Sequence, residues 1–93
     1  MEKIKTLHII VSGKVQGVYF RASCVNTAQR IGIGGWVRNL PDSRVEIMAS
    51  GSFSKMDEFL KWCYQGPVGA RVDNVDIEEK SFQAFEKFAI LRI

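Results

Sequence analysis

Alternation of apolar and polar positions opens the chain. Leu7, Ile9 and Val11 alternate with Thr6, His8 and Ser12, a period-2 pattern that predicts a strand with one buried face ending at Gly13. The period then becomes helical. Phe20, Cys24, Ala28 and Ile31 recur along one face, and Gly32 stands where a C-cap glycine belongs. Residues 36–40 and 44–50 read as two strands joined by the turn Pro41-Asp42-Ser43, which predicts a hairpin. A second helix follows with Met56, Phe59, Leu60 and Cys63 on its apolar face, Ser54 as its expected N-cap and Gly66-Pro67 as its stop. After it, residues 72–79 alternate again, with Val75 and Ile77 set against Asp76 and Glu78, and residues 85–93 supply a last strand. The order is βαββαβ with one extra short strand. Packing both helical stripes on one face of an antiparallel sheet is the simplest burial, so the expected class is α+β, a ferredoxin-like two-layer sandwich.

Length adds that residues 1–93 form one domain, with no room for a second catalytic one. With 46% hydrophobic and 25% charged residues, the composition is that of a globular chain rather than a disordered one. No apolar run approaches the ~20 residues of a membrane span, and no apolar signal segment follows the first charges. The expected address is cytoplasmic, with no membrane partner. Cys24 and Cys63 are too few and too far apart for a disulfide framework or a zinc site, and both fall on apolar helix faces, where buried free thiols are expected.

Charge changes the picture more than composition does. The net charge is only +3, yet between Lys3 and Pro41 there is no Asp or Glu, while Lys3, Lys5, Lys14, Arg21, Arg30 and Arg38 are all present. Such a half-molecule suits an anion; a nucleic-acid surface or a solvated basic face has the same composition. Within it lies Gly13–Arg21, GKVQGVYFR, and further on Gly35–Asn39, GWVRN. Successive backbone N–H groups ahead of a helix can cradle an oxyanion, and a guanidinium in the first helical turn can grip two phosphate oxygens. Asn39 offers a carboxamide that both donates to and accepts from water. The glycine spacing fits neither a Walker A loop nor the dinucleotide GxGxxG pattern. Alone, the two glycines could serve a tight turn, Arg21 a helix surface and Asn39 a turn. Trp36 and Phe20 are expected in the core, His8 on a strand face, and Arg38 on the face opposite Asn39.

GKVQGVYFR followed by GWVRN, then Asp42, Val45 and Glu46, resembles acylphosphatases, small enzymes that hydrolyse acyl phosphates. The resemblance runs on through Gly51, Gly66-Pro67, Ala70 and Val75 to Phe88, Ile90 and Arg92. It implies a phosphate-binding loop of Gly13, Lys14, Val15, Gln16, Gly17, Val18 and Tyr19, a phosphate-gripping Arg21 and a water-positioning Asn39. It implies too a small acyl phosphate as substrate, with inorganic phosphate as product and competitive inhibitor, and a monomer without cofactor. The motif offers no carboxylate or histidine pair for a metal, so a metal-independent reaction is expected.

Some positions depart from that pattern. Ser43 replaces the glycine common in the hairpin turn, Tyr19 fills a variable loop position, Gly34 adds a glycine before Gly35, and Leu91-Arg92-Ile93 lacks an aromatic ending. Two other readings remain at this stage: an RNA-binding module, for which the aromatic RRM signature is missing, and a regulatory or carbamoyl-phosphate-handling module. Nucleic acid is not an expected partner.

Overall fold

The computed structural model describes residues 2–92. In chain order its elements are β1 (Ile4–Lys14), α1 (Phe20–Ile31), β2 (Gly34–Asn39), β3 (Val45–Ser52), α2 (Phe53–Gln65), β4 (Arg71–Lys80) and β5 (Phe88–Ile90). The sheet order is β4-β1-β3-β2-β5, so the first strand lies between β4 and β3. β1 pairs antiparallel with β3 (Ile9 opposite Ile47) and with β4 (Ile9 opposite Ile77). The expected ferredoxin-like sandwich is present.

Alternation does the packing. Leu7, Ile9 and Val11 of β1, Val37 of β2, and Val45, Ile47 and Ala49 of β3 are all buried, as are Phe20, Cys24 and Ala28 of α1 and Met56, Phe59 and Cys63 of α2. Trp62 joins the two helices: its ring centroid lies 5.1 Å from that of Phe20 and 6.3 Å from that of Phe59. Phe59 in turn meets Phe88 of β5 edge-on at 5.9 Å. Aromatic contacts of this kind add to the area they bury. They also fix the start of α1, because Phe20 is its first residue.

Four expectations change. The sheet is mixed rather than wholly antiparallel, because β5 runs parallel to β2 (Val37 opposite Ile90). The chain leaves β4 at one edge and must reach the other edge, so it arrives beside β2 in β2's own direction. That last strand is only Phe88–Ile90, shorter than the expected 85–93, of which Ile93 lies outside the described residues. The N-cap of α2 is Ser52, whose Oγ accepts from the Lys55 N–H at 3.4 Å, rather than Ser54. β3 runs into α2 without a loop, which places the helix start two residues earlier. Trp36 is half-buried on the sheet face away from the helices, with the Arg38 guanidinium 5.7 Å from its ring, because it is Val37 that points inward.

Thr6 is buried on that same outer face. The crossover between β4 and β5 lies over it: the Gln83 N–H donates to Thr6 Oγ1 at 3.0 Å, Ser50 Oγ donates to the Gln83 carbonyl at 2.8 Å, and the two hydroxyls bond each other. Gly34, the first residue of β2, packs against this strap. A Cβ there would lie 2.8 Å from the Phe85 Cβ and carbonyl oxygen, so the added glycine permits close packing rather than loosening the strand.

Further along the outer face, Arg38 and His8 converge on Glu46: Arg38 Nε donates to Oε1, and His8 Nε2 lies 2.7 Å from Oε2. Burial alone would raise the Glu46 carboxyl, but the hydrogen bonds from His8 and Arg38 and the Arg38 charge outweigh it and hold the group below its usual value. A carboxylate lowered in the folded state stabilises above its unfolded pKa, and that contribution is lost as pH falls through the folded value. Urea unfolding should therefore show stability declining from about pH 5 downward. Glu46→Gln should flatten part of that decline, and an unaltered acid slope would remove Glu46 from the account.

Candidate active site

The site lies where β1 passes into α1. Residues 16–19 form a bend, and Gly17 takes φ 74°, a left-handed conformation in which a side chain would be strained although nothing within 4 Å would touch it. Tyr19 is left-handed as well, at φ 61°, and stands 85% exposed at the lip. A non-glycine residue there carries a backbone cost of about 1–2 kcal/mol, which recurs at Ser43 of the hairpin turn, where φ is 75°. The left-handed turn at Tyr19 aims the chain directly into α1. No side chain caps this helix and its first turn has no acidic residue, so its leading N–H groups and positive dipole end are left open to an anion. Among the described residues the N–H groups of 16–19 donate to no backbone or side-chain acceptor.

A cavity of about 400 Å³ sits over this bend. Val15, Gln16, Gly17 and Tyr19 line it from the loop, Phe20, Arg21 and Ala22 from α1, Asn39 from the end of β2, and Ile90 and Arg92 from the C-terminal stretch. No carboxylate is among these residues, and both charged side chains are guanidinium groups. Neither Arg21 nor Arg92 makes an ion pair among the described residues. Asn39 Oδ1 is buried and has no hydrogen-bond partner among them. A buried acceptor left open costs free energy unless something donates to it, so this atom points to a donor in the cavity.

Gln16 links the two halves of the site. Its Nε2 donates to the carbonyls of Leu40 and Arg44, both at 2.9 Å, across the mouth of the β2–β3 hairpin. The amide side chain thus ties the loop to the strand end that carries Asn39, and what Gln16 can still offer an anion is its backbone N–H.

The sequence-derived residues divide accordingly. Val15, Gln16, Gly17, Tyr19, Arg21 and Asn39 meet at one cavity. Gly13 and Lys14 lie in the ladder with β4, opposite Val72 and Arg71 beyond a bulge at Ser12/Gly13, and with Val18 they do not line the cavity. Arg38 faces away, as alternation requires. Arg92 was not among the sequence-derived site residues. Its signal is the same period-2 rule: Ile90 and Arg92 are two apart on an extended segment held by the Leu91 N–H to the Val37 carbonyl at 2.9 Å.

Both thiols are buried between the helices. Burial pushes Cys63 up, and burial with the neighbouring Cys63 does the same to Cys24, so neither is a nucleophile for this cavity. Among the described residues no group of three His, Cys, Asp or Glu side chains could hold a metal ion, and no helix is long and apolar enough to cross a membrane.

Fold and cavity together define a small α/β sandwich with a cationic anion site at a helix N-terminus, lined among the described residues by no carboxylate. A family model for acylphosphatase matches residues 7–90. The chain is 49% identical over 92 residues to an acylphosphatase of Acaryochloris marina, covering 99% of each. It is also similar to the solved acylphosphatase structures from Bacillus subtilis (TM-score 0.92, 32% identity, 97% of this chain and 100% of that one) and Coxiella burnetii (0.91, 36%, 95% and 93%). This chain belongs to the acylphosphatase family and is a hydrolase of acyl phosphates.

Proposed function

We propose that the 16–19 bend and Arg21 hold the phosphoryl group of an acyl phosphate while Asn39 positions the attacking water. The observation that carries this reading is the buried Asn39 Oδ1, without a partner among the described residues, in the same cavity as Arg21, which makes no ion pair among them. A carboxamide oxygen there accepts one O–H of a water and leaves a lone pair of that water aimed at phosphorus. Attack forms the new P–O bond and breaks the bond to the acyl oxygen, which departs as a carboxylate. Carboxylates leave without protonation, so no general acid is needed, and the water's proton passes to a phosphate oxygen. Backbone N–H groups and the Arg21 guanidinium stabilise charge as it spreads over the non-bridging oxygens. Gly13 and Lys14 support the loop from the sheet, and Arg92 adds positive potential.

In this reading inorganic phosphate, the product, competes with substrate at the same cradle. The chain works as a monomer, without cofactor or metal, on a small molecule in the cytoplasm rather than on nucleic acid. The test is hydrolysis of benzoyl phosphate with phosphate as competitor and EDTA present. Turnover unchanged by EDTA and inhibited competitively by phosphate is expected. Reversible loss of activity with the chelator would overturn the metal-free mechanism, and non-competitive inhibition would separate the cradle from the reaction.

A further inference from the structure

The phosphate cavity does not end at Ala22 and Ile90. Both residues also line a second, open groove of about 450 Å³ that runs between α1 and β5, away from the cradle. Its near walls are Ala22 and Val25 on the helix and Ile90 and Ala89 on the strand, all short or apolar; the exposed Asn26 stands one turn along the helical wall, and Gln29, whose Nε2 donates to the Phe88 carbonyl at 3.5 Å, and Lys87 stand at the far end. Along α1 the seven-residue step from Ala22 to Gln29 spans about 10 Å at the helical rise. Phe88, buried to 2%, closes the base through its contact with Phe59.

We infer that this groove takes the acyl part of the substrate, and that the enzyme favours acyl phosphates with an unbranched apolar chain. The inference rests on phosphate occupying the cradle. With phosphorus there, the carboxyl carbon stands next to the cavity wall shared by Ala22 and Ile90, and the chain beyond it continues along the apolar walls. The groove's lining carries no acidic group that would repel the reacting carboxyl end; Gln29 and Lys87 lie where a chain would re-enter water, and Asn26, exposed on the helical wall, borders the open side. Lys87 covers apolar surface with its methylenes while its ammonium stays solvated. Each methylene withdrawn fully from water contributes about fourfold in affinity, and a groove open on one side recovers about half of that free energy, or roughly twofold. This binding is equal in ground and transition states, so it lowers KM and leaves kcat unchanged.

The experiment measures kcat/KM for acetyl, butanoyl, hexanoyl and octanoyl phosphate with the wild type, Val25→Ser and Gln29→Leu. The expected wild-type result is a rise of about twofold per added methylene, carried by KM. Val25→Ser should lower the octanoyl-to-acetyl ratio by about threefold, and Gln29→Leu, which extends the apolar wall at an exposed position, should raise it. The gain in Gln29→Leu cannot come from misfolding. A flat wild-type series, or one ratio shared by all three proteins, overturns the inference. Failure of the cradle reading looks different: Arg21→Ala would then hydrolyse acetyl phosphate at the wild-type rate.

Discussion

Arg21→Ala is expected to lower kcat/KM for benzoyl phosphate by about a thousandfold or more and to abolish competitive inhibition by phosphate at the same time. Both losses follow from one geometry. Arg21 is the second residue of α1, beside Phe20, which packs against Trp62, and it lines the same cavity as the loop residues whose N–H groups are open. Among the described residues it has no carboxylate partner to share its charge. In the proposed mechanism truncation removes a group that binds phosphate in the ground state and grips it harder as charge develops, while the fold, which among the described residues uses Arg21 in no ion pair, should keep its stability. Steady-state kinetics and a urea melt on the same preparation check both halves. Retained phosphate inhibition would sink the assignment.

Asn39→Ala should separate what Arg21→Ala removes together. Turnover should fall by about a hundred- to a thousandfold, with phosphate still competing at close to its wild-type constant, because in the proposed mechanism the carboxamide orients water and does not hold the anion. The buried Oδ1 has no partner among the described residues, so its removal breaks no hydrogen bond of the fold. Near-normal kcat would show that the water is positioned by another group. Parallel loss of phosphate affinity would instead make Asn39 a phosphate ligand.

These residues were legible in the sequence for different reasons. The helix faces and the Gly32 cap follow from local periodicity and backbone chemistry, and Arg21 follows from standing just past the loop. Asn39 was readable as a carboxamide at a strand end within GWVRN, and alternation placed Arg38 on the opposite face, where it pairs with Glu46. What could not be read is tertiary. The direction of β5 depends on where the crossover enters the sheet, and Thr6 looks like a solvent-facing polar residue until the 81–87 strap covers it. Gln16 reads as one more loop residue because its acceptors, the carbonyls of Leu40 and Arg44, lie far along the chain. Ser52 and Ser54 are equally good caps by composition, and only the unbroken passage from β3 to α2 chooses between them.

The Gln16 bridge has a consequence for how the protein becomes active. The bend follows β1 and Asn39 ends β2, strands that both pair with β3, and Gln16 bonds the bend to the β2–β3 turn. In the proposed mechanism a partly folded chain with the β1–α1 unit alone would have the bend but nothing to aim a water. Activity in that reading waits for β2 and β3 to join the β1–α1 unit. Completing the sheet also requires β1 to pair with β4, whose pairing partners lie more than half the chain away, the kind of non-local topology that folds slowly.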